Sequence, residues 1–150
     1  MNTHIFWHNV ATQGAVGYGK APGTVATAMM IPLVYFLGTL HLTPMHYGAI
    51  VAAFVLFGCF ATHRALPFFS EPDPSQIVID EMISFIALFC FIPITVKTIV
   101  IGFVLFRLFD IFKPFGISYL EHLPGFAGVM ADDLAAAGFA NICVQVLLHL

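Results

Sequence analysis

Three short stretches of this chain carry acids and bases at spacings that could do chemistry. They are Asp80-Glu81, Asp132-Asp133 and the run FRLFDIFKP, in which Arg107, Asp110 and Lys113 recur every three residues. That recurrence puts Arg107 and Asp110 on neighbouring turns of one helix face. Carboxylates drawn together repel one another unless a cation offsets them. Oxygen donors of this kind suit a hard divalent ion, and magnesium in such a site keeps waters and engages phosphate as well. Asp80, Glu81, Asp110, Asp132 and Asp133 are therefore the candidate metal ligands, with Arg107 and Lys113 as clamps for an anionic group on the metal. Two plainer readings compete. Arg107 and Asp110 could form an internal ion pair, and acids at helix N-termini are favoured by the helix dipole. The second reading covers Asp80, Glu81, Asp132 and Asp133 one at a time, but not Asp110 near a helix C-terminus.

The stretch GAVGYGKAPGT, residues 14–24, adds a loop suited to phosphate. Gly14, Gly19 and Lys20 match G-x-x-x-x-G-K-[ST], but Ala21 stands where that nucleotide motif needs a magnesium-binding hydroxyl. Gly17, Gly19 and Gly23 leave the backbone free to approach a ligand. Thr24 is placed to cap a helix starting at Val25, whose free N–H groups attract phosphate. Lys20, Gly23 and Thr24, together with Arg107 and Lys113, are the candidate phosphate-binding residues. An ordinary glycine-rich turn is the alternative.

The elements that must position these groups are membrane helices. The chain has 150 residues, 60% of them hydrophobic and 9% charged, with 17 Phe and a mean hydropathy of +0.97. A soluble domain does not have this composition. A net charge of -3 with scattered cations gives no field for nucleic acid. The expected fold is all-α, a polytopic helical bundle forming one domain over residues 1–150. Its apolar stretches are Thr24–Leu40, His46–Ala65, Ile79–Val96, Thr98–Phe112 and Asp133–Leu150, four or five helices in all. A short interfacial N-terminal segment carrying Phe6 and Trp7 precedes them, and no cleavable signal peptide is expected in MNTHIFWHNVATQG. His4 and His8 share a helical face but lack a third ligand, and Cys59, Cys90 and Cys143 lie far apart in apolar surroundings.

If all five stretches cross, Lys20, Arg64, Arg107 and Lys113 fall on one side and Lys97 alone on the other, which makes the first side cytoplasmic. Of the five basic and eight acidic residues in the chain, three and five respectively then gather at one membrane depth. Charges at membrane depth cost a few kcal/mol each and mark function. The reading is magnesium-assisted chemistry on a phosphate, and at a membrane surface that phosphate belongs to a lipid headgroup. A cation or proton transporter using the same acids is the alternative, and it predicts acids strung along a path through the bilayer.

Other phosphatase signatures are missing. Cys59 and Arg64 are one residue too close for C-x5-R, no Asp-x-Asp-x-[Thr/Val] occurs, and no Asp at position 136 completes a D-D-x-x-D motif. The blocks GYGKAPGT (17–24), IVIDEMI (77–83), FRLFDIFKPFGI (106–117) and GVMADDLAA (128–136) instead resemble, in order, those of the bacterial phosphatidylglycerophosphatase A family. The chain departs from the family pattern at Ala26-Thr27, Ser84, Gly116 and Phe126, none of which removes a charged group. The resemblance implies hydrolysis of phosphatidylglycerophosphate to phosphatidylglycerol and inorganic phosphate, with Mg2+ required, at the bacterial inner membrane. It marks Asp80, Glu81, Arg107, Asp110, Lys113, Asp132 and Asp133 as active-site residues, along with Lys20 and Thr24. Attack by water and an aspartyl-phosphate intermediate both remain open.

Overall fold

Proline, glycine and threonine decide where this chain bends, as the computed structural model, which describes residues 3–71 and 73–149, makes plain. Helix α1 (Thr3–Thr12) leads through a 3-10 turn at Val16–Tyr18 into α2 (Pro22–Met29) and α3 (Ile31–Thr39). Then come α4 (Pro44–Ala65), α5 (Ile79–Ala87), α6 (Val96–Phe112), a 3-10 segment at Pro114–His122 and α7 (Phe126–His149). The described residues form no strand, so the architecture is all-α. The α2–α3 unit (Pro22–Thr39), the segment Pro44–Phe68 and α7 are each long and apolar enough to cross a membrane.

Local chemistry sets several of these boundaries. Pro44 opens α4 at a position where its missing N–H costs nothing, and the Thr43 hydroxyl accepts from His46 N at 3.3 Å. Thr95 and Thr98 form a reciprocal capping box on α6. Helix α6 stops at Lys113, whose left-handed backbone (φ 44°) precedes Pro114. The first expected stretch is two helices, because Pro32 in the first turn of α3 cannot donate back to α2.

The third expected stretch, Ile79–Val96, differs most. Helix α5 ends at Ala87 after nine residues, roughly 13 Å at 1.5 Å per residue. From Leu88 the chain turns, passing through Phe91 at φ 63° and reaching Pro93, before which helical backbone is disfavoured. The carbonyls released by this break are met from other helices. Asn141 Nδ2 donates to Leu88 O at 2.6 Å and to Cys90 O at 2.8 Å, and Tyr47 Oη donates to Ile86 O at 2.8 Å. Irregular backbone of this kind is tolerated in an apolar layer only where the protein itself satisfies it.

The fifth stretch also differs. Helix α7 begins at Phe126, so Asp132 and Asp133 lie in its second turn and do not open it. The apolar residues 126–130 read as a loop-to-helix transition in sequence, whereas the acids sit inward at a buried site. Leu150, the last residue of that stretch, lies outside the described residues.

The buried core holds α5 upright. Phe85, Phe89 and Phe106 are fully buried, with Phe85 edge-on to Phe89 at 5.3 Å. Ala136, Ala137 and Ala140 give α7 a smooth face for close approach by its neighbours. A second cluster, with Ala11, Ala61, Ile79, Ile83 and Met130, seats α1 and α4 on the other flank of α5. On α1, Trp7 packs edge-on against Phe60 at 5.0 Å. His8 Nε2 lies 2.8 Å from the Tyr18 hydroxyl and the ring stacks on Phe69, while His4 meets Phe68, so both imidazoles are engaged in packing.

Candidate active site

A cavity of about 350 Å³ opens where α2 and α5 begin, α6 ends and the second turn of α7 passes. Gly23, Thr24, Asp80, Glu81, Arg107, Asp110, Lys113, Asp132 and Asp133 all line it. Four separate segments thus deliver nine of the ten residues singled out from sequence to one concavity. Lys20 is the exception: it is exposed and does not line the cavity. Ala21 takes a left-handed backbone (φ 50°) and serves as the cap of α2, so Thr24 is the third residue of that helix and not its cap. The N–H groups of Gly23 and Thr24, in the first turn, have no partner within the helix.

Two close approaches fix the geometry. Gly17 faces the carbonyl of Gln76 so tightly that any side chain would overlap it, which ties the glycine loop to the segment entering α5. Val78 N donates to Ala11 O at 3.0 Å in the same region. Gly23 lies against Glu81 in the same way, and a Cβ there would overlap Glu81 Oε1 and sit 3.1 Å from Arg107 Nη1. Gly23→Ala is therefore expected to push the Glu81 carboxylate aside and lower kcat by about tenfold to a hundredfold, given the sensitivity of catalysis to displacements near 1 Å. A phosphate-release assay beside a melting curve checks this. An alanine variant with the parent rate would show that Glu81 needs no fixed place.

The charges sort into two groups. One oxygen each from Asp80, Glu81 and Asp133 lies within 4.8 Å of the others. Asp80 and Asp133 are almost wholly buried, and Asp80 Oδ1 accepts from Glu81 N at 3.0 Å. The other two carboxylates are held by cations. Arg107 Nη1 stands 2.7 Å from Asp110 Oδ2, a charge contact without hydrogen-bond alignment, and 4.0 Å from Glu81 Oε1. Lys113 Nζ bonds Asp132 Oδ2 at 2.5 Å and also Glu121 Oε1.

Several buried polar atoms in this cavity have no hydrogen-bond partner: Glu81 Oε2, Asp132 Oδ1, Asp133 Oδ1, and Nε and Nη1 of Arg107. Buried orphans are rare in folded proteins and costly unless a ligand completes them. Orphaned carboxylate oxygens call for a cation, and the free Nε of Arg107 leaves a donor for an anion besides Asp110. The three converging carboxylates thus fit a hard divalent ion, with Arg107 beside it for an anionic group on that ion.

Three further residues at the site escaped the sequence. Asp73 and Ser75 line the cavity from the loop before α5, and Glu121 reaches Lys113 from the 3-10 segment. Burial raises the Asp73 carboxyl above its ordinary range, opposed by the Lys113 charge and reinforced by Glu121, Asp110 and Glu71. Burial alone would lower the Lys113 ammonium, but its bonds to Asp132 and Glu121 outweigh that and hold it above the usual lysine value. Lys113 is therefore a fixed positive charge.

The sequence is similar to known proteins over most of its length. The family model described as Phosphatidylglycerophosphatase A matches residues 9–148. The chain is 33% identical over 146 residues to a Haemophilus influenzae protein named phosphatidylglycerophosphatase A, covering 90% of this chain and 86% of that one. A protein of the same name from Escherichia coli is 29% identical over 137 residues, 87% of this chain and 76% of its own. A Bacteroides thetaiotaomicron protein provisionally named phosphatidylinositol-3-phosphatase is 32% identical over 133 residues, 84% of this chain and 82% of its own. No solved structure matches the chain.

Proposed function

Because the chain belongs to the phosphatidylglycerophosphatase A family, we propose that it hydrolyses phosphatidylglycerophosphate to phosphatidylglycerol and inorganic phosphate. The reaction takes place with Mg2+ at the cytoplasmic face of the bacterial inner membrane, within a single membrane domain. The observation that carries this reading is the set of orphaned oxygens on Glu81, Asp132 and Asp133 beside the free Nε of Arg107. Such a set is complementary to a cation and a phosphate together. A transport path would string its acids through the bilayer, but here they share one cavity at one end of the helices.

Asp80, Glu81 and Asp133 would hold the magnesium, which would supply Lewis-acid polarisation of the phosphate and of the attacking water. The chain's own residues do the rest. Arg107 lines the cavity with its Nε unpartnered, and Asp110 pins its guanidinium in place through Nη1. Fixed donors aimed at developing charge contribute most when they need not reorganise during the reaction. Lys113 sits across the cavity, and the first-turn amides of α2 at Gly23 and Thr24 add weaker donors. The lack of a side chain at Gly23 leaves the room against α2 that the Glu81 carboxylate occupies.

Orientation follows from charge. Arg64 lies in the last turn of α4, Lys113 caps the cavity end of α6 with Arg107 further back along that helix, and Lys97 lies at the opposite end of α6, a bias that favours a cytoplasmic cavity.

The test is purified protein in detergent micelles, with phosphate release followed from phosphatidylglycerophosphate and from phosphatidylinositol-3-phosphate, in Mg2+ and in chelator. Release from the first lipid, stopped by chelation, is the expected result. Turnover of the inositol lipid alone would reassign the substrate, and activity that survives chelation would remove the metal.

A further inference from the structure

Lys113 stands at the rim of the cavity on unusual backbone. Its own φ is 44°, and Phe115 and Gly116 follow at 60° and 84°. Non-glycine residues rarely adopt this conformation, and they keep it only where the surroundings hold them. The backbone is held by the helix-ending bond of Lys113 N to Phe109 O at 2.8 Å, and the ammonium is gripped by Asp132 from α7 and by Glu121 from the 3-10 segment.

The two partners are not equivalent. The Asp132 side chain is 6% exposed and belongs to the cavity wall, whereas that of Glu121 is 34% exposed and lies outside the lining. One positive charge thus faces two negative ones. Lys113 keeps a third N–H, but two carboxylates against one ammonium leave net negative charge there, so a phosphate gains most from Lys113 when one of them withdraws. Asp132 is held in the cavity wall on α7, whereas the more exposed Glu121 can turn outward and be solvated at little cost.

We propose that Glu121 is a positioning residue, an exchangeable counter-ion that holds Lys113 at the cavity rim when the site is empty and yields it to an incoming phosphate monoester or inorganic phosphate. This rests on reading the cavity as a phosphate site. The exchange orders the ammonium before the substrate arrives, and in return phosphate binds more weakly than it would to a free lysine. Glu121 therefore tunes affinity against release of the inorganic product.

The test measures binding of inorganic phosphate to the full chain in micelles with magnesium present, by titration calorimetry, beside KM and kcat on the lipid. Glu121→Gln is expected to tighten phosphate binding by about threefold to fivefold, the scale of one partly exposed ion pair. KM should fall in parallel and kcat should change less than KM. Glu121→Asp, which keeps the charge, should stay near the parent. In a Lys113→Met background, Glu121→Gln should no longer alter phosphate affinity. Unchanged or weaker phosphate binding in Glu121→Gln would overturn the exchange, and so would an equal shift in the Lys113→Met background. A parent protein that shows these binding shifts yet cleaves no lipid would sink the proposed reaction and leave the exchange standing.

Discussion

Replacing Asp133 by asparagine is expected to abolish phosphate release while raising the melting temperature of the metal-free protein. Asp133 is 3% exposed, and its Oδ1 has no hydrogen-bond partner. The other members of its carboxylate group, Asp80 and Glu81, lie within 4.8 Å by their nearest oxygens. Asparagine keeps the shape but removes one of three crowded charges. The rate should fall by about a thousandfold or more, a few kcal/mol of electrostatic stabilisation. Without metal the loss of like-charge crowding acts in the opposite direction and stabilises the fold by about 1–2 kcal/mol, the size of gain common when a functional position is relaxed. Phosphate release with Mg2+ and thermal unfolding in chelator measure the two halves separately. A variant that is inactive and also less stable in chelator would mean that Asp133 supports the fold and has no special part in the site.

Arg107→Lys tests the other half of the cavity. The substitution keeps a positive charge on α6 but loses the planar fork and its free Nε. If that donor meets charge that develops as the phosphoryl group moves, kcat should drop by about a hundredfold to a thousandfold with a much smaller change in KM. A rise in KM alone would instead assign Arg107 to ground-state binding. The contact with Asp110 at 2.7 Å gives an internal control, because a lysine here could still pair with that carboxylate and keep α6 in place.

How far the site was legible depended on the regularity of the segment. Arg107 and Asp110 were readable because the helix period turns a spacing of three into a shared face; Lys113, one spacing further, lies just past the helix on left-handed backbone. Asp132 and Asp133 were readable as site residues, but not as second-turn residues of α7, since nothing in FAGVM distinguishes a helix start from a loop. Asp73 lies in a loop, and Glu121 lies in the 3-10 segment beyond the left-handed residues Phe115 and Gly116, so no helix period carried from α6 places either of them at the site. Lys20 lies outside the cavity lining, just before the left-handed backbone at Ala21, a conformation that no residue type in this stretch announces. The shortness of α5 was hidden because LFCFIPITV remains apolar after the helix has ended. Hydropathy reports the layer and is silent on whether the backbone within it is helical.

The Asn141 contacts to the turn after α5 have a consequence for biogenesis. A chain made from its N-terminus releases α5 and the Leu88–Ile92 turn toward the membrane well before the last helix exists. Until α7 arrives, the carbonyls of Leu88 and Cys90 lack the amide that meets them. The same helix brings Asp132 and Asp133, so sealing of the turn and assembly of the acidic cavity are one late event, and a ribosome-bound chain stopped before α7 carries neither.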